Sequence, residues 1–170
     1  MSIYEQGLAR NEVNHVALSP LSFIERTAAI YPDYPAVVHG TIRRTWGETY
    51  TRCRKFASAL AKRGIGKDDT VAVILPNIPE MLELHFSVPM VGAVINTLNV
   101  RLDAETISFM LQHGEAKVLV VDREFSEVAQ AACGMLEEPP LLIDIDDPAY
   151  GKGKPVSNLN YEDFLAEGDD

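Results

Sequence analysis

The apolar positions of this chain change period several times. Leu21, Ile24, Ala28 and Tyr31 recur at helical spacing behind Pro20, and Pro32 stops the run, which predicts a helix. Ala36–Val38 and Ile42–Thr45 lie either side of Gly40 and predict a hairpin. Thr45 with Glu48 three residues on is a capping-box signature. The helix it opens carries Tyr50, Cys53, Ala57 and Leu60 on one face. Lys62 and Arg63 suit its last turn, and Gly64 suits its C-terminal cap.

From residue 70 apolar strands alternate with amphipathic stretches. "TVAVIL" (70–75), Ala93–Asn96, "KVLVV" (117–121) and "PLLIDI" (140–145) read as strands covered on both faces, as in a parallel sheet. Between them lie three helical patterns. The first runs from Asn77 and Pro79 to about Met90, with a kink or early end expected at Pro89. The second is capped by Asp103, runs to His113 and closes at Gly114. The third is marked by Phe125, Val128, Ala129, Ala132, Cys133 and Leu136. This is the rhythm of βαβ units with right-handed crossovers. The expected fold class is therefore α/β, a parallel βαβ sheet with flanking helices, preceded by a helix and a β-hairpin. The expected organisation is an irregular arm over 1–18, an α/β subdomain over 19–145, and a loop with a short helix (Tyr161–Ala166) over 146–170.

Composition narrows the partners. A net charge of -10 argues against a nucleic-acid or anionic-membrane binder. No window approaches the roughly 20 apolar residues of a membrane span. No basic, then apolar leader opens the sequence, so a cytoplasmic location is expected. Cys53 and Cys133 read as buried thiols, and the four histidines show no metal-ligand spacing, so no metal site is expected.

Ligands of a doubly wound sheet bind outside the carboxyl ends of its strands. Three such ends are polar here: Pro76-Asn77, Asn96-Thr97-Leu98-Asn99 within "GAVINTLNVRLD", and Asp122-Arg123. They can face a ligand or another domain. Helix caps can also explain them, since Asn77, Asp103 and Asp122 all stand where a cap is wanted. "GKGK" (151–154) lacks the spacing and context of a phosphate loop and reads as a solvated loop. "DIDD" (144–147) lacks the remaining ligands of a calcium loop and reads as a charged strand exit. There is no G-x-G-x-x-G.

"TWGETY" and "VPMVGAVINTLNVRL", with the wording of the stretch from about Pro20 to Asp122, resemble the start of the adenylate-forming acyl-CoA synthetases. The likeness is greatest to bacterial medium-chain acyl-CoA and methylmercaptopropionate-CoA ligases. The resemblance implies a two-step reaction. A carboxylic acid attacks ATP to give an acyl-adenylate and pyrophosphate, and coenzyme A thiolate then displaces AMP. It implies ATP, Mg and coenzyme A as cofactors of the intact enzyme. The Ser/Thr/Gly-rich phosphate loop, the adenine and ribose motifs and the C-terminal domain with its lysine are all missing from these residues. The chain therefore reads as an N-terminal fragment, about the first third, that is inactive alone and binds none of these groups tightly.

By resemblance no catalytic residue lies in this range. Arg123, after the third strand, is a candidate contact to the coenzyme A phosphate, with a solvated arginine as the other reading. His85 is a candidate for the acyl or pantetheine channel, with a satisfied or surface histidine as the other reading. A homo-oligomer is expected, through surface that the intact protein buries. Two other functions stay open: a free-standing, non-catalytic binding or interaction module that kept this fold, and a small flavodoxin-like nucleotide binder.

Overall fold

The computed structural model describes residues 3, 6, 7, 9, 11–13 and 15–170. Of the expected arm, residues 1, 2, 4, 5, 8, 10 and 14 lie outside the described residues; the others carry no α-helix or strand. Helix α1 (Pro20–Ile30) opens with Ser19, whose hydroxyl accepts from the Leu21 amide. It buries Ile24 and Ala28. Strands β1 (Pro35–His39) and β2 (Ile42–Thr45) pair antiparallel as a separate two-stranded sheet. Thr45 then caps α2 (Trp46–Lys62). Its hydroxyl accepts from the Glu48 amide at 3.2 Å, and the Glu48 carboxylate accepts from the Thr45 amide at 2.7 Å. Both halves of the capping box thus form. Gly64, just past the helix, takes φ +78°, where a side chain would be strained.

The second unit is a parallel sheet of four strands in the order β4-β3-β5-β6, formed by β3 (Thr70–Ile74), β4 (Val94–Thr97), β5 (Ala116–Asp122) and β6 (Leu141–Ile145). Alternation along each strand divides the core. Val71, Val73, Val118, Val120, Ile143 and Ile145 face α2 and α3 (Pro79–Met90). Ala72, Ile74, Leu119 and Val121 face α4 (Ala104–His113) and α5 (Ser126–Cys133). A residue slip in any strand would exchange these sets, which is what pins the register. Pro89 lies in the last turn of α3, one residue before its end. Cys53 and Cys133 are buried and unpaired, and burial pushes both thiols up.

Two expectations are corrected. The strand within "GAVINT" is not buried on both sides: β4 is an edge strand, with Val94 and Thr97 exposed. Only β3 pairs with it, so polar residues at its end meet water at little cost. Asn77 does not cap α3: Ile78 holds the N-cap position with no side-chain cap bond, and Pro79 opens the helix. Asp103 does cap α4, accepting from the Thr106 amide at 2.8 Å.

The stretch after β6 returns to the fold. Helix α6 (Tyr161–Ala166) buries Tyr161, Phe164 and Leu165 in the same cluster as α2. Phe56 of α2 lies 4.8 Å from both the Tyr161 and Phe164 rings. Beyond it, Arg63 pairs with Glu167 and Lys62 with Asp169.

Candidate functional site

Strand order fixes where a site can form. The crossover after β3 leads to α3 on one face of the sheet, and the one after β5 leads to α5 on the other. The carboxyl ends of β3 and β5 therefore diverge and leave a crevice at the switch point. Residues 75–78 form one lip and Asp122-Arg123 the other.

Asp122 lies at the bottom of the second lip, only 1% exposed. Its Oδ1 accepts from the Glu124 amide at 2.8 Å and so caps a 3-10 turn, Arg123–Phe125. Its Oδ2 is buried without a partner. Burial pushes this carboxyl above the usual carboxylate range, and the negative charges of Asp147, Glu124 and Asp144 add to that, against the Glu124 amide.

Arg123 points its guanidinium at β6. Nε donates to Asp144 Oδ2 at 2.7 Å, and Nη1 pairs with Asp146. The two partners differ: Asp144 is buried, whereas the Asp146 side chain is 57% exposed. Gly153 lies against the Arg123 backbone so closely that a Cβ there would stand 2.3 Å from the Arg123 carbonyl oxygen. Three cavities have Arg123 in their walls, one lined also by Tyr150 and Lys154, one by Pro148 and Lys152, and one by Glu80, Tyr161 and Glu162.

His85 belongs to a different place. It is exposed on α3, and its Nδ1–H donates to the Met81 carbonyl at 2.7 Å. It lines an open groove of about 580 Å³ between β1 and α3, together with Val38, Ile78, Leu82 and Phe86. Asn77, free of cap duty, and His39 line the same groove. Arg123 does not, so the two sequence candidates are not brought together.

Among the described residues, the most heavily buried charge was missed by sequence reasoning. Glu83 of α3 is wholly buried; its Oε1 accepts from Arg44 Nη1 and Arg52 Nε, each at 2.7 Å, and its Oε2 accepts from the Tyr161 hydroxyl at 3.0 Å. Arg52 also grips Glu162 through both Nη atoms. Burial pushes Glu83 up, while Arg52 and Arg44 pull it down. Burial also pushes Tyr161 well up, with Glu83 adding to it. This network joins β2, α2, α3 and α6, and its Glu80, Tyr161 and Glu162 line the third cavity at Arg123. Glu83 sits on the apolar side of α3, a polar residue in a core position, and that conflict was the available signal.

Among the described residues no group of His, Cys, Asp and Glu is arranged to hold a metal ion, and no helix is long and apolar enough to cross a membrane. The pattern of a family described as "AMP-binding enzyme" matches residues 24–163. The chain is 44% identical to the peroxisomal acetate/butyrate–CoA ligase AAE7 of Arabidopsis thaliana, over 95% of this chain and 31% of that protein. It is 44% identical to acetate–CoA ligase CCL3 of Humulus lupulus, again over 95% of this chain and 31% of that protein. Among solved structures, a benzoate CoA ligase from Burkholderia xenovorans LB400 superposes with a TM-score of 0.76 at 18% identity, over 89% of this chain and 29% of that one. The chain thus spans under a third of the length of these relatives.

Proposed function

Because the chain belongs to the AMP-binding enzyme family, we propose that it is the N-terminal α/β portion of an ATP-dependent acid–CoA ligase. The observation that carries this is the 44% identity to two CoA ligases across nearly the whole chain. The proposed reaction joins a carboxylic acid to coenzyme A through an acyl-adenylate, with ATP and Mg consumed or held by residues outside these 170. Nothing in this chain has the pattern of a phosphate loop, and no step at ATP is derived from its residues.

Toward coenzyme A, the residues at Arg123 fit a phosphate conditionally. The guanidinium already carries two carboxylates, and only Asp146 is exposed enough to give way. Arg123 is thus proposed to bind and orient a coenzyme phosphate as a bidentate donor. His85 is proposed to line the route of an apolar group along the β1–α3 groove. Acetate, butyrate and benzoate, named in relatives, are the acids to try first. A cytoplasmic location is our proposal; several relatives are named peroxisomal.

One observation favours a second reading, a self-sufficient non-catalytic module: α2, α3 and α6 on one face and α4 and α5 on the other already cover the sheet. A direct test uses the protein encoded by the reading frame continued past Asp170. Incubated with ATP, Mg, coenzyme A and each acid, it should release AMP and form acyl-CoA. A continued frame that ends at once, or a longer protein that forms no acyl-CoA with any acid of a broad panel, overturns the ligase reading.

A further inference from the structure

Asp144 occupies a position of β6 where the strand pattern calls for an apolar side chain. Along β6, Ile143 and Ile145 face one side of the sheet, and Leu142 faces the other, the side that Asp144 shares by alternation. Its partner across β5 is the buried Val121. Asp144 is nevertheless a carboxylate, and only 1% exposed. A well-packed apolar side chain often serves stability as well as a buried ion pair, or better. The charge at this position therefore calls for an account other than stability.

Both of its oxygens are engaged. Oδ2 accepts from Arg123 Nε at 2.7 Å, and Oδ1 accepts from the Val156 amide at 2.9 Å. The backbone is fixed as well: the Asp144 amide donates to the Leu159 carbonyl at 2.9 Å, and a parallel bridge joins it to Asn160. The carboxylate is thus set in place, and it grips Arg123 by Nε, behind the tip of the guanidinium. The tip is left to other partners. Nη1 pairs with Asp146, and among the described residues nothing is bonded to Nη2. Asp147, the next acid along, is engaged by His39 at 3.1 Å. Of the three cavities that share Arg123, Asp144 lines one.

We propose that Asp144 is the positioning residue of Arg123, fixing the guanidinium through Nε so that Nη2 stays open to a phosphate of coenzyme A. This rests on the role proposed for Arg123 and adds the residue that gives it direction. Asp144 itself touches no ligand. A guanidinium free to rotate would have to be ordered when the phosphate arrives, and that ordering weakens binding. The bond from Nε to Asp144 removes the freedom beforehand. In Asp144→Asn the side chain keeps its size, and one of its two polar atoms becomes a donor. With the amide oxygen still accepting from Val156, its nitrogen faces Arg123 Nε, and two donors form no bond.

Steady-state kinetics of the protein encoded by the continued reading frame test this, with coenzyme A and with pantetheine, which carries the thiol and no phosphate. In Asp144→Asn the ratio of the KM for coenzyme A to that for pantetheine should rise about five-fold, carried by KM rather than kcat. Arg123→Gln should raise the same ratio, and Asp144→Asn should add nothing further in the double variant. A ratio that rises in Arg123→Gln and not in Asp144→Asn overturns the positioning role and leaves the Arg123 reading standing. A ratio that Arg123→Gln does not move overturns both. Effects that add in the double variant, or a loss equal for coenzyme A and pantetheine, make Asp144 a structural residue and overturn the proposal. One measurement needs no variant at Asp144. In the proton–nitrogen correlation spectrum of the 170-residue chain, with the signal assigned through Arg123→Lys, the Arg123 Nε–H should exchange slowly with water. Exchange as fast as that of free arginine overturns the proposal.

Discussion

Replacing Glu83 by alanine should cost more stability than any other single truncation at the α2–α3–α6 junction. The carboxylate is wholly buried and accepts from Arg44, Arg52 and Tyr161. Removing one partner of a buried charge pair costs about 3–5 kcal/mol. A buried hydroxyl left unpaired, as Tyr161 would be, costs about 1–3 kcal/mol. The arginines are not stranded, however. Arg44 keeps Glu80 at 3.2 Å, and Arg52 keeps Glu162 at 2.6 and 2.9 Å. The net loss should thus sit near the lower end, about 3–4 kcal/mol, a large share of the roughly 5–15 kcal/mol of a typical domain. With an m-value of about 2 kcal/mol/M in urea, the midpoint should drop by about 1.5–2 M. Glu83→Gln retains an acceptor for the arginines and a donor for the Tyr161 oxygen, and loses a charge that burial disfavours. It should lose about 1 kcal/mol. Equilibrium urea unfolding followed by tryptophan fluorescence and far-UV circular dichroism gives both numbers. An alanine variant within about 0.5 kcal/mol of the parent would refute this reasoning. A glutamine variant as weak as alanine would show that charge, rather than the hydrogen-bond pattern, holds the junction.

Gly153→Ala should loosen the loop over β5 and β6, because its φ is +92° and the added Cβ meets the Arg123 carbonyl. A loss of about 1–3 kcal/mol is expected if the loop stays in place, and a raised exchange rate at Val156 if it moves; an unchanged variant by both measures contradicts the contact. Glu162 is held below the usual carboxylate range by the Arg52 hydrogen bond. Its folded-state value is depressed, so its contribution is present above the unfolded value and is lost as pH falls through the folded one. Glu162→Gln should therefore weaken the protein by about 0.5–1 kcal/mol at pH 7 and by nothing near pH 2; an effect equal at both pH values shows that the pair does not act through charge. The isolated chain should self-associate through the open edge of β4 and the apolar groove between β1 and α3. Sedimentation equilibrium at tens of micromolar should show a dimer, and a clean monomer near 18.8 kDa would favour the self-sufficient module.

The sheet was legible in the sequence because its signals are local. Four apolar runs separated by three helical patterns, with a cap such as Asp103 or a stop such as Gly114, leave little choice of topology. The capping box at Thr45 and Glu48 was readable for the same reason. Which strand lies at the edge was not, since "GAVINT" has the apolar core of an inner strand and only the pairing of β3 with both β4 and β5 decides it. Asn77 looked like a cap, but Pro79 placed the helix start one residue later. The site suffered more. His85 and Arg123 were picked from their places on elements, and side-chain partners decide their chemistry. Asp144 and Asp146 lie more than twenty residues from Arg123, and Asp147 lies 108 residues from His39. No periodicity reports such contacts. Glu83 stood out only as a polar residue at a core position of α3; its partners come from three other elements, and the sequence pattern does not name them.

Pyrophosphate exchange measures the first half-reaction alone and bears most directly on the proposal that this chain is one part of an acid–CoA ligase. The 170-residue chain and the protein from the continued reading frame should be assayed side by side with labelled pyrophosphate, ATP, Mg and acetate, butyrate or benzoate. We expect acid-dependent exchange from the longer protein and none above the blank from the chain alone. Exchange by the 170 residues themselves would contradict the assignment of ATP chemistry to residues beyond them, and an inactive longer protein would contradict the ligase reading.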